Sequence, residues 1–556
     1  MSTISENIIA VTNQKLADQQ KVEDAKAAIR LKGVDVPVDT KLGDLDAKIA
    51  LIDEWVAPAD WIQLEEPADN EILLLASDIN PYYAFLVAVV GGYTVDWGDG
   101  TVDNWASGTT ASHTYAVGTG QACSRGYTTF KIRIYAQTPA NNITVFRMPN
   151  VSLQNYTNTL LVVKYGTQGL TTLNQSFWNE ITINGKFFAR SSGYIEYVQL
   201  PYSLTSCTDY GRAFRDLYSL KKIRMPYVYS SGFLNFGECF LGCGQLRSID
   251  YNVSELNISL MNYAHGNNIR LKSAKLPAIV NGCTRFSNTF GGCSSLEKIV
   301  LPIINTDTQF NTAIQNCISL KEIIFNESWN NRIITFQGNN GVKLERTDIL
   351  PTMKCTGNGF ATAFQGWMFR NFYFPTNANN SSLTDINGMF QSNIVKTIIG
   401  FPALPNVTNY ASLFRYCWYL TDVDNLDQLG DTTSNMDLAS AYQECYSLNP
   451  AGGLRVRNKI TGRFILAGVD ANNKAALQAL LFTNPAAVST WAGASPQIDI
   501  SYCSMEAAAL NALFTSIIAT SASFSGKTIR ITGNPGDATC DTTIITNAGG
   551  TVNKTT

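Results

Sequence analysis

One pattern recurs through the middle of the chain and limits what it can fold into. Phe290-Gly-Gly-Cys293-Ser-Ser-Leu296-Glu-Lys-Ile299-Val-Leu-Pro302 sets the template: Phe, then Cys three residues on, Leu six, Ile nine and Pro twelve. Phe240/Cys243/Leu246/Ile249, Ile314/Cys317/Leu320/Ile323 and Phe414/Cys417/Leu420/Val423 repeat it. Phe214/Leu220/Ile223/Pro226 repeats it without the cysteine, and Tyr442/Cys445/Leu448 begins it. Weaker copies start at His265, Gly338, Phe364 and Phe390, so successive starts from 214 to 442 lie 24–28 residues apart. A unit this short cannot bury its own apolar face, so neighbouring units must stack into a solenoid, expected over 146–455. Ile at +9 and the apolar residue at +11 then face inward from a short strand, and +8 and +10 face outward. Phe fills the opposite side of each coil, and Cys at +3 is a small apolar residue in a tight position.

The outward strand positions differ from copy to copy. Lys222, Arg224, Asp250, Lys275, Lys298, Glu322, Asp422 and Asp424 form a candidate recognition face, because variable side chains on a regular frame are what recognition needs. The same positions also suit an ordinary solvated surface.

Composition narrows the chemistry. Of 556 residues, 15% are charged and the formal net charge is −3, so there is no broad basic field for nucleic acid. Two histidines far apart in sequence, His113 and His265, argue against multi-His metal sites and a His-based triad. None of the twelve cysteines has CxxC spacing, and recurrence at one coil position spreads them along the stack, so free thiols are expected. No apolar run reaches the roughly 18 residues that span a bilayer. The first residues lack a basic and apolar leader, which leads us to expect folding in a cytoplasm. No catalytic residue, cofactor or metal is expected.

Residues 57–145 read as an all-β module with short apolar runs at Ile72–Leu75, Ala84–Val90 and Phe130–Tyr135. Within it, Tyr93-Thr-Val-Asp-Trp-Gly-Asp-Gly-Thr101 ends in a tight turn, and His113-Thr-Tyr115 follows. Asp96, Asp99 and Asp103 lack EF-hand spacing and read as turn-forming side chains. The paired WGDG and HxY signatures resemble a PKD-type domain, which implies an immunoglobulin-like sandwich acting as a spacer or binding unit. Likewise, the F-x-x-C-x-x-L-x-x-I-x-L-P repeat resembles BspA-like leucine-rich repeats.

Residues 1–56 carry heptad-like spacing at Ile4, Ile8, Val11, Val22, Ala25 and Ile29, with Gly33 and Pro37 as stops. A second short helix is expected from Leu42 to Ile52. The stretch from Ala27 to Pro37, with Leu42-Gly-Asp-Leu-Asp-Ala-Lys-Ile, is similar to the N-terminal part of tailed-bacteriophage tail and fibre proteins. That likeness implies attachment to other virion proteins. In 456–556 two segments 33 residues apart, Ile465 to Leu481 and Ile498 to Phe514, read as strand, turn and helix in an α/β cap. Gly526 to Gly536 is similar to C-terminal segments of phage tail proteins.

The expected fold is therefore multidomain and mainly β: N-terminal helices, sandwich, leucine-rich-repeat solenoid and α/β cap. The expected function is a non-enzymatic virion appendage, most simply a tail fibre, that binds a host cell-surface glycan or protein. It is expected to form a homo-oligomer, with a trimer favoured, and to insert in no membrane. A bacterial surface adhesin and a polysaccharide-degrading tailspike are the alternatives.

Overall fold

A computed structural model describes residues 55–554, apart from 149–158 and stretches within 174–193, 326–382, 402–439, 457–495 and 521–523. Residues 1–54 of the expected helical segment lie outside the described residues.

The repeat folds as stacked coils in register. Lys222–Arg224 runs parallel to Tyr197–Gln199, with Ile223 opposite Val198. Ser248–Asp250 pairs with Ser273–Lys275, and Lys298–Val300 with Glu322–Ile324, each placing its middle residue opposite its neighbour's. Phe372, Ile398 and Val423 continue the row through Asn371–Tyr373, Thr397–Ile399 and Asp422–Val423. In these strands the middle residue is buried and its flanks lean outward, as the period of two requires. Leu220, Leu246, Leu296 and Leu320 are all fully buried one turn earlier. A second row of short parallel strands joins Glu255–Leu260, Ile279–Asn281 and Ile303–Ile304 on another side of the coil.

Opposite the strands runs a column of rings. Phe214 stacks on Phe240 at 5.4 Å, Phe240 on His265 at 5.5 Å, and His265 on Phe290 at 5.3 Å. The column resumes from Phe364 through Phe390 to Phe414 at 5.6 and 5.8 Å. His265 is thus a ring in the stack, sharing a 3.1 Å hydrogen bond with the Tyr251 hydroxyl. Burial lowers its pKa to about 3.

The recurrent cysteine does more than fill space. Its thiol donates to the carbonyl of the ring residue one coil back: Cys293 to His265 at 3.0 Å, Cys317 to Phe290 at 3.1 Å, Cys417 to Phe390 at 2.9 Å. Cys243 and Cys445 do the same. Where the slot holds Asn393, its amide nitrogen donates to the Phe364 carbonyl instead. Burial pushes the Cys293 and Cys417 thiols up to about 12, which keeps the donor protonated. The described cysteines are all free thiols.

Ahead of the coils, Glu71–Ser77, Thr128–Ala136, Tyr93–Asp96 and Val102–Trp105 form one antiparallel sheet, and Thr110–Thr114, Tyr82–Val89 and Ile143–Arg147 form another. Phe85, Trp97, Tyr115 and Phe130 fill the core they share. The first sheet does not end there. Leu160–Tyr165 pairs antiparallel with Glu71–Ser77 and parallel with Tyr197–Gln199, so one sheet passes from sandwich into solenoid.

At the other end Phe464–Ile465, Ile498–Asp499, Thr528–Arg530 and Thr551–Asn553 pair in parallel. Ala507–Thr520 is a helix that buries Leu510, Leu513, Phe514 and Ile517 and packs on the strand Leu480–Phe482. The helix expected over Ala475–Leu481 is absent. Ala475 and Ala476 donate their amides to the Tyr502 and Tyr446 carbonyls, and Leu480–Phe482 is a strand on Leu454–Val456. A short apolar run reads equally as helix or strand, and here the neighbouring coils take its backbone groups.

Leu296→Ala should cost about 2–5 kcal/mol, whereas Ile318→Ala, at an exposed position, should stay within about 0.5 kcal/mol; urea midpoints of the two variants check this. His265 must be neutral to stay buried. Its contribution is therefore complete above the ordinary histidine value of about 6.5 and is lost as pH falls from there towards 3. Thermal scans of His265→Phe between pH 7 and 4 should show a smaller drop in Tm than the parent protein.

Candidate recognition face

The solenoid gathers the expected face onto one side but pairs its charges. Asp250 lies opposite Lys275 in the register, and their side chains meet at 2.9 Å. Lys298 lies opposite Glu322, also at 2.9 Å. Opposite charges facing each other on neighbouring rungs satisfy one another, which is the cross-strand rule of sheets. Asp422 is exposed, and its carboxylate accepts the Val423 amide at 2.9 Å. Asp424 lies outside the described residues.

Lys222 and Arg224 are half-buried because a strap crosses the face beside them. Trp55 stacks on Tyr197 at 4.8 Å, nearly parallel, and Trp61, Leu75, Leu161 and Val162 form a small second core beneath. Glu66 takes a hydrogen bond from Gln199 at 2.7 Å and an ion pair from Arg224 at 3.6 Å. Lys164 donates to the Leu64 carbonyl at 2.8 Å. Glu196 receives Arg125 of the sandwich at 2.6 Å, Lys221 of the first coil at 3.0 Å and the Trp55 indole at 3.1 Å. Burial pushes the Glu196 carboxyl up, but these three donors outweigh it and hold the pKa below the usual range.

In the sandwich, the turn aspartates hold the turn. Asp96 accepts the Gly98 amide, Asp99 accepts Thr101, and Asp103 accepts the Trp97 indole. Gly98 has φ +78°, and a Cβ there would come within 2.2 Å of the Lys131 carbonyl oxygen. His113 bonds Asp99 at 2.7 Å and stacks on Trp97 at 4.8 Å, while Tyr115 donates to the Trp97 carbonyl at 2.6 Å. The two signatures seen in sequence are thus one interlocked structural unit.

What the sequence reading missed lies on the turn edge. Trp418 and Tyr419 stand 51% and 59% exposed, side by side. With Tyr416, Glu444, Ser392 and Ile394 they line a concavity of about 300 Å³. The template treats +4 and +5 as unassigned positions, so no repeat-based signal marks these rings.

The coil register and buried columns define the class: a β-solenoid of stacked coils. The chain is similar to a crystal structure of a leucine-rich repeat protein from Bacteroides ovatus, at 15% identity over 68% of this chain and 92% of that one, with a TM-score of 0.31. A superposition that loose carries no argument, and the solenoid rests on the pairing of its own strands. No family model matches the chain, and no curated protein matches it.

The paired charges on the strand face make a specific expectation. A double-mutant cycle on Lys298→Ala and Glu322→Ala, both about half exposed, should return a coupling below about 1 kcal/mol that vanishes in high salt.

Proposed function

We propose that this chain is a non-enzymatic display protein of a bacteriophage virion, a tail fibre or similar appendage, whose solenoid recognises the host surface. The observation that carries this reading is the arrangement of the coils. A stack of rungs presents long edges to solvent, and among the described residues its interior is filled by apolar side chains. The sequence likenesses at both ends to phage tail proteins supply the virion context. In this reading the WGDG/HxY module is a PKD-type sandwich that serves as a rigid base, joined to the coils by a shared sheet instead of a flexible linker. The N-terminal segment attaches to other virion proteins and forms a homo-oligomer, with a trimer favoured. The host ligand is a surface glycan or protein, and no nucleic acid or membrane insertion is involved. Low charge with many Asn, Thr, Ser and Gly residues suits a surface that must stay soluble without a strong field.

Mass spectrometry of purified virions from the source of this sequence tests the reading, with immunogold labelling of the same particles. The protein is expected in intact particles at several copies each. Its absence from particles, or labelling of cell envelopes instead, overturns the reading in favour of a surface adhesin. Shortened glycans after incubation with host capsule would overturn the non-enzymatic part alone.

A further inference from the structure

The turn edge of the solenoid follows a rule that one place breaks. Each clear coil has two residues with positive φ, two before and two after the ring position. Examples are Glu238 and Gly242, Asn288 and Gly292, and Ser412 and Tyr416. The second of these is the tighter, and in the N-terminal coils Asx and Gly alternate there. Asp216 is followed by Gly242, and Asn267 by Gly292. A Cβ on either glycine would come within 2.4 Å of the Asx oxygen one coil back. The alternation is thus steric, and both residue types tolerate the left-handed conformation.

Three successive coils then depart from it: Ser392 at φ +59°, Tyr416 at +64° and Glu444 at +61°. A bulky residue held left-handed costs on the order of 1 kcal/mol or more; Arg212, Glu238, Tyr263 and Tyr502 stand so elsewhere, but here three successive coils carry residues other than Asx or Gly at the second position. Moreover, the surroundings fix these side chains in place. The Arg415 guanidinium lies 4.5 Å over the Tyr416 ring and donates to its hydroxyl at 2.6 Å. The Tyr446 hydroxyl donates to Glu444, and burial followed by that carboxylate raises the tyrosine's pKa. These three strained positions, with Trp418 and Tyr419, line the same concavity.

We propose that this concavity is a binding site for one or two rings of a neutral saccharide. The inference rests on the host-recognition reading and names its ligand class. A pyranose presents an apolar C–H face and a rim of hydroxyls. Exposed Trp and Tyr rings match the face, and a fixed carboxylate with a serine hydroxyl matches the rim. A volume near 300 Å³ lies at the small end of ligand pockets, which suits a ligand of one or two rings. Glu444 disfavours acidic sugars, because Arg415 is already engaged on Tyr416.

The test uses the full chain on an array of neutral hexose and N-acetylhexosamine oligosaccharides. Acidic glycans and choline-type ammonium compounds are the other arms, and adsorption to whole bacteria is measured in parallel. Binding to a neutral oligosaccharide is expected, and Trp418→Ala should weaken it at least tenfold. Tyr416→Gly should weaken binding while raising Tm, because it relieves the left-handed strain; a purely structural tyrosine would instead lose stability. Tyr202→Ala, at an exposed ring elsewhere, should change neither. Preference for acidic glycans or ammonium compounds, no glycan bound on any arm, or binding unaffected by Trp418→Ala overturns the proposal. If cells are adsorbed equally by the parent and Trp418→Ala proteins, the saccharide site fails and host recognition stands. If the chain is found in virions but adsorbs to no cell, host recognition itself fails.

Discussion

Beside the ring column, carbonyls such as those of Phe290 and Phe414 accept the amide three residues on in their own turn and a second donor, the Cys317 or Cys445 thiol, from the next coil. A carbonyl oxygen has two lone pairs, and a +3 side chain that is small and can donate fills the second one across the gap between coils. Cysteine meets both needs in five coils, and Asn393 meets them in another. Ring stacking and strand register act between the same neighbours. No coil is stable alone, and the array holds because its contacts are nearest-neighbour.

A stack has two ends, and secondary structure of another kind stands near both here. At the start, the sandwich lends its own sheet: the strand at Leu160–Tyr165 faces an antiparallel partner on one side and a parallel one on the other. Glu196 locks that seam by taking cations from the sandwich and the first coil together with the Trp55 indole. At the far end, the Ala507–Thr520 helix packs on the strand Leu480–Phe482. Thr551–Asn553 remains the outer strand of its sheet, and at three residues it offers a short edge to other chains.

The strand face and the turn edge have divided the labour. On the strand face, Asp250 meets Lys275 and Lys298 meets Glu322, so these outward charges offset one another. On the turn edge, the Asx–Gly alternation fixes shape until Ser392, Tyr416 and Glu444 replace it and gather around exposed rings.

By itself the sequence determined the solenoid. The spacing of Phe, Cys, Leu and Ile encodes which atoms face inward, and a periodic burial pattern has only one periodic solution. It also determined that His265 belongs to the ring column, because the histidine stands at that slot. Tertiary structure alone decided that the cysteine donates to the previous coil, that Asp250 meets Lys275, and that Ala475–Leu481 is not helical. Each of these depends on a neighbour 25 or more residues away. Tertiary structure also decided that Trp418 sits beside Glu444. Residue order sets what one coil buries, but only the rise and register between coils set which side chains of different coils touch.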